Sequence, residues 1–168
     1  MVSIINYYRN IVYKRRMIND AIKLININDK NVPLFTFNGK IIIARIVECY
    51  DGDTCTIIFD HKGEIIKYKL RAYGYDCAEM KPRLDKENRE DEVDAAKKAK
   101  TRFLELLDTK SPNNAQRCFQ IECLDFDKYG RILGNIYPID AIIGKDESIN
   151  NIMVKEGHGK PYFGGKKE

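Results

Sequence analysis

Two carboxylates two residues apart, Asp51 and Asp53, stand in the run Asp51-Gly52-Asp53-Thr54. Hard cations such as Ca²⁺ take oxygen ligands, and a turn beside a strand presents them rigidly. The run is not an EF-hand, because its fifth position is Cys55, its sixth Thr56 rather than glycine and its twelfth Lys62 rather than glutamate. Taken alone, Asp-Gly-Asp also reads as an ordinary turn. A second run, Arg71-Ala72-Tyr73-Gly74-Tyr75-Asp76-Cys77-Ala78-Glu79, sets a cation ahead of two carboxylates three residues apart. That combination could supply a phosphate clamp, a metal ligand and a general base, although a surface loop with one Arg–Glu ion pair has the same composition. The third run, Asp127-Lys128-Tyr129-Gly130-Arg131, is a turn that launches a second arginine along a strand. By itself it reads as a solvated hairpin.

The elements that must position these groups follow from hydrophobic period. Ile4, Ile5, Tyr8, Ile11, Val12, Ile18, Ile22 and Ile25 recur at three-to-four spacing, which predicts an amphipathic helix over 1–25 with a break near Asn19-Asp20. No acid precedes Asp20, so its polar face is basic. Residues 26–39 read as a connector. β-Branched residues from Ile41 to Val47 predict a first strand, Thr54 to Phe59 a second and Ile65 to Leu70 a third. Residues 81–94 read as a charged loop, and a helical stripe runs from about Asp91 to Leu107. Beyond a loop at Ser111-Pro112-Asn113-Asn114, Cys118 to Phe126 and Ile132 to Tyr137 predict two more strands. A short helix over Ile149 to Glu156 ends at Gly157. Five strands with a helix after the third suit an α+β chain built on a small, partly open five-stranded barrel of the OB type. The expected division is 1–39 as a helical extension and 40–168 as the barrel domain.

Composition narrows the function classes. The chain has 168 residues, 43% hydrophobic and 32% charged, which is globular and not disordered. Its 29 Lys+Arg against 25 Asp+Glu leave +4, enough to permit a polyanionic partner but not to demand one. Five cysteines, with no Cys-x-x-Cys and only two histidines, argue for free thiols over a zinc cluster. There is no apolar run of 18 residues for a membrane span. Arg9, Lys14, Arg15 and Arg16 interrupt what would be the core of a signal peptide. The expectation is an intracellular, cytoplasmic monomer.

Together, in this order and spacing, the three runs resemble the staphylococcal nuclease (thermonuclease) family. The family pattern is Asp-Gly-Asp-Thr after the first strand, then Arg, Asp and Glu at offsets of zero, five and eight, then Asp-Lys-Tyr-Gly-Arg before the fifth strand. The segment Gly157-His158-Gly159-Lys160-Pro161-Tyr162 also resembles the family's stretch after its penultimate helix, so the likeness spans about residues 40–163. It implies an OB-fold barrel that holds one Ca²⁺ and cleaves DNA and RNA with little sequence preference, leaving 3′-phosphate ends. By the resemblance, Asp53, Asp76 and the backbone carbonyl of Cys77 would be metal ligands, with Asp51 behind them through water. Arg71 and Arg131 would clamp the scissile phosphate, Glu79 would act on the attacking water, and Lys128, Tyr129 and Tyr162 would line the nucleotide pocket.

Two departures stand out. Cys77-Ala78 occupies the place of the family's usual Thr-Pro, which puts the aim of Glu79 in question more than the reaction type. A helix precedes the barrel, while the sequence ends on Gly165-Lys166-Lys167-Glu168. The expectation is that residues 1–25 cover apolar barrel surface. The rival is an anionic membrane surface as partner of that basic helix. A non-catalytic nucleic-acid-binding module is the alternative function, which has no need for the whole set of two arginines, two ligand aspartates and the glutamate.

Overall fold

The computed structural model describes residues 2–84, 87–111 and 116–164, without the side chains of 2–5 and 8. Part of the predicted 81–94 loop, most of the Ser111–Asn114 loop and the 165–168 tail therefore lie outside the described residues. The chain divides into two compact units, Met1–Phe35 and Thr36–Glu168.

The first unit is a helix, α1 (Val2–Ile25), and a 3₁₀ turn at Asp29–Asn31 capped by the Asn28 side chain, which accepts from the Lys30 amide at 3.1 Å. The break expected near Asn19-Asp20 is absent, and α1 runs through it. Asn and Asp in a helix interior cost only about 0.7 kcal/mol each relative to alanine, too little to stop a helix that satisfies its backbone on both sides.

The second unit is a barrel of β1 (Ile41–Cys49), β2 (Thr54–His61), β3 (Glu64–Ala72), β5 (Cys118–Phe126) and β6 (Ile132–Pro138), in the order β1-β2-β3-β6-β5. It is closed, not partly open. β1 pairs antiparallel with β5, and β3 pairs parallel with β6 through Leu70↔Ile132, Arg71↔Leu133 and Ala72↔Gly134. Closure gives every strand a partner on both sides, although β3 and β6 meet over only these three residues. Alternate residues point inward, so Ile46, Ile57, Leu70, Ile121, Ile132 and Ile136 are buried together.

Helix α2 (Arg89–Thr109) begins two residues ahead of the predicted start, with Glu90, Asp91 and Glu92 at the positive end of its dipole. Its buried stripe is Ala96, Ala99, Phe103, Leu106 and Leu107. Helix α3 (Ile149–Lys155) is capped by Ser148, whose oxygen accepts from the Asn151 amide. Two strands of three residues each, β4 (Gly74–Asp76) and β7 (Lys160–Tyr162), form a separate antiparallel ribbon that the sequence did not suggest. With Gly74 in one and Pro161 in the other, neither carries an alternating pattern long enough to read as a strand.

Candidate functional site

Asp53 follows the turn between β1 and β2, and Arg71 sits near the end of β3. The strand register brings Thr54 opposite Arg71. One carboxylate–guanidinium corner results. Asp53 Oδ1 pairs with Arg71 Nη1, and Asp76 Oδ1 lies 2.7 Å from Arg71 Nη2, which also donates to the Tyr75 carbonyl at 3.1 Å. Nη1 is buried and forms an ion pair with Asp53. Asp53 Oδ2 accepts from the Cys77 amide at 2.9 Å. Burial pulls the Arg71 pKa down, but the Asp53 and Asp76 carboxylates outweigh it and the net direction is up.

Asp51 holds the turn itself. Its Oδ1 accepts from the amides of Asp53 and Thr54 at 3.1 and 2.7 Å. Burial first, and then the Asp53 charge, push its carboxyl up to about 6. Gly52 between them has no room for a side chain, since a Cβ there would meet Cys77 Sγ at 2.8 Å and the Ala99 Cβ of α2 at 3.0 Å. Close approach of α2 to this turn requires the glycine.

Three further contacts fasten residues 73–76, one of them to the Gly52 turn. The Tyr75 hydroxyl donates to the Gly52 carbonyl at 2.7 Å, Asp76 pairs in register with Lys160, and Asn150 of α3 donates to the Tyr73 carbonyl at 2.9 Å. Tyr75 and Asn150 are buried, and sequence reasoning assigned neither a part in the site. No sequence signal singles out Asn150, because its burial follows only from the fold.

The second arginine is held locally. Asp127 Oδ1 accepts from the amides of Tyr129 and Arg131, both at 2.9 Å, and its Oδ2 from Arg131 Nε at 2.6 Å. Arg131 Nη1 donates to Thr54 Oγ1 at 3.2 Å, and Thr54 donates to Asp53 at 2.9 Å. Thr54 thus links the two arginines through one hydroxyl. The Tyr129 ring, largely exposed, receives Lys128 Nζ at 5.0 Å and the Arg131 guanidinium at 5.4 Å.

All ten residues singled out from sequence line one cleft of about 870 Å³: Asp51, Asp53, Arg71, Asp76, Cys77, Glu79, Lys128, Tyr129, Arg131 and Tyr162. Tyr50, Tyr73 and Phe163 add aromatic wall that was not anticipated, with Tyr73 edge-on to Phe163 at 5.8 Å. Glu79 is exposed, and its amide lies 3.5 Å from Glu92 at the start of α2. Cys77 is buried, its thiol donating to the His158 carbonyl at 3.3 Å, and burial followed by the Asp53 charge drives its pKa well up. That makes it a poor nucleophile.

Among the described residues, no group of three or more His, Cys, Asp or Glu side chains is arranged to hold a metal ion. A site of two carboxylates and a backbone carbonyl is a smaller demand. Asp53 and Asp76 meet around a single guanidinium, with Asp51 adjacent. Their carboxylate oxygens are hard donors of the type that a divalent cation takes. No helix among the described residues is long and apolar enough to cross a membrane.

A family model described as staphylococcal nuclease homologue matches residues 81–167. That interval contains Lys128, Tyr129, Arg131 and Tyr162, whereas Asp51, Asp53, Arg71, Asp76, Cys77 and Glu79 precede it. No curated protein gives a significant match to the chain.

Proposed function

Because the chain belongs to the staphylococcal nuclease homologue family, we propose that it is a calcium-dependent endonuclease that hydrolyses phosphodiester bonds of DNA and RNA with low sequence specificity, leaving 3′-phosphate ends. The observation that carries this reading is the meeting of two arginines, the Asp53–Asp76 pair and Glu79 on the walls of one cleft.

Asp53, Asp76 and the Cys77 carbonyl would hold the ion, which supplies positive charge against the phosphate oxygens as negative charge builds there. Arg71, which Asp53 and Asp76 hold in place, would offer its guanidinium to phosphate oxygens. Arg131, steadied by Asp127, approaches the same phosphate from the other wall. Two planar guanidiniums can make paired hydrogen bonds to phosphate, which an ammonium group cannot match. Glu79 accepts a proton from the attacking water, whose oxygen bonds to phosphorus as the P–O5′ bond breaks, and the departing 5′ oxygen takes a proton from solvent. Contacts aimed at phosphate carry no base information, in keeping with low sequence specificity. Tyr129 and Tyr162 would stack bases of a single strand.

Digestion of single-stranded DNA with Ca²⁺, with EGTA and with Glu79→Gln tests this reading. EGTA should abolish cleavage, and the variant should slow it about 10²–10⁴-fold. No cleavage with binding intact would favour the non-catalytic binding module, with Cys77-Ala78 ahead of Glu79 as the first segment to restore. For residues 1–25 the first reading stays cover for apolar barrel surface, and the rival partner is an anionic membrane surface, on the strength of Arg9, Lys14, Arg15 and Arg16. Vesicle flotation with and without residues 1–25 tests that partner separately.

A further inference from the structure

The outward face of the barrel continues the charge of the cleft. Side chains alternate along a strand, so Arg71, Lys69, Lys67 and Ile65 of β3 share one face, while Leu70 between them is fully buried. The register extends this face across two neighbours. Thr54 stands opposite Arg71, Thr56 opposite Lys69 and Ile58 opposite Lys67, and on β1 Glu48 flanks Thr56 and Arg45 flanks Ile58. Lys69 and Lys67 are exposed, as is Arg45.

We propose that a single nucleic-acid strand leaving the cleft runs along β3, with successive phosphates meeting Lys69 and then Lys67 and with Arg45 beside them. The inference rests on the nuclease reading for the position of the scissile phosphate at Arg71. Every second residue of a strand advances about 6.6 Å, the scale on which phosphates follow one another in a stretched single strand. β6 pairs with β3 only at Leu70, Arg71 and Ala72, so the Glu64–Lys69 side of β3 has no β6 backbone beside it. A polynucleotide could lie there without displacing a paired strand.

The charges around the track favour an anion. Lys69 Nζ donates to Thr56 Oγ1 at 2.7 Å and is 4.0 Å from Glu48, a contact exposed on both sides and therefore weak. Other acids on these two strands return only at the hairpin tip, where Asp60 is opposite Ile65 and Glu64 opposite His61. The track thus ends at Ile65, two phosphates beyond the cleft. A dinucleotide would reach none of it.

Fluorescence anisotropy of labelled dT12 and of a labelled dinucleotide, in EGTA over a salt series, tests the track on the full chain. The Lys67→Gln/Lys69→Gln variant keeps a hydrogen-bonding group near Thr56, and Glu48→Gln provides a change of opposite sign. For dT12 the double variant should reduce the slope of log affinity against log salt by about 1.4, at about 0.7 for each phosphate that a lysine no longer neutralises. Dinucleotide binding should be unaltered, and Glu48→Gln should tighten dT12 binding. An unchanged slope, equal weakening of both ligands, or no dT12 binding by the parent chain would overturn the proposal. A reduced slope in a chain that cleaves nothing would leave the track standing and remove the nuclease reading; cleavage with an unchanged slope would do the reverse.

Discussion

The cleft has two arginines set in opposite ways. Arg71 is buried, and its partners come from two separate places in the chain: Asp53 in the β1–β2 connection, and Asp76 with the Tyr75 carbonyl on β4. Arg131 lies on a turn of five residues whose own Asp127 supplies most of its hydrogen bonds. Both present a guanidinium to the same cleft. The charge at Arg71 is inseparable from the fold, whereas the charge at Arg131 is an attachment to it. Removing the first should be costly to the whole protein, and removing the second costly only to the chemistry.

Arg71→Met is the harshest test of that contrast. It strands Asp53 and Asp76, so urea unfolding should show a loss of about 3–5 kcal/mol, together with a fall in cleavage rate of about 10²–10³. Arg131→Lys should fall on the other side, with cleavage slowed about 10²-fold and stability changed by less than about 1 kcal/mol. Equal destabilisation by the two substitutions would abolish the distinction.

A gentler pair of substitutions sharpens it. Gly52→Ala forces a methyl into the contact of the turn with Cys77 and Ala99, and should cost about 1–3 kcal/mol. Gly130 has open space around it but φ of +77°, so Gly130→Ala should cost only about 1 kcal/mol through backbone strain. Thermal melts of the two proteins compare packing at one arginine with local geometry at the other.

The smallest effect is electrostatic. Burial pulls Asp127 up, but hydrogen bonds from Arg131 and from the Tyr129 amide outweigh it, and its carboxyl sits below the usual carboxylate range. A depressed folded pKa gives stability that is present above the unfolded value and is lost as pH falls through the folded one. Acid titration followed by unfolding should therefore show a shallower loss below pH about 4 in Asp127→Asn than in the parent.

The same contrast explains what could be read before the fold was known. Asp127–Arg131 was legible because a turn and its aspartate are local chemistry, and the five barrel strands were legible from β-branched runs with turn residues between them. Closure of the barrel was not, since it depends on Ile41–Arg45 meeting Cys118–Glu122 from far along the chain. Nor was the reach of α1 through Asn19 and Asp20, where neighbouring helix outweighs two weakly unfavourable residues. At the site, the residue types were visible but their supports were not. Tyr75 bonding to Gly52, Asn150 bonding to Tyr73 and the β4–β7 ribbon are tertiary contacts between segments with no shared pattern.

That ribbon also sets an order of assembly. Asp76 takes its backbone partner from Lys160, so during synthesis this pairing waits until all five barrel strands have left the ribosome. Pairings so distant in sequence are slow to form, because the loop between them must be closed first. A shorter product, from an early stop or a nick after Glu156, would carry every acid and both arginines of the cleft and still lack the strand that fastens them. Competence for chemistry would then arrive last in folding and be the first property to go on trimming.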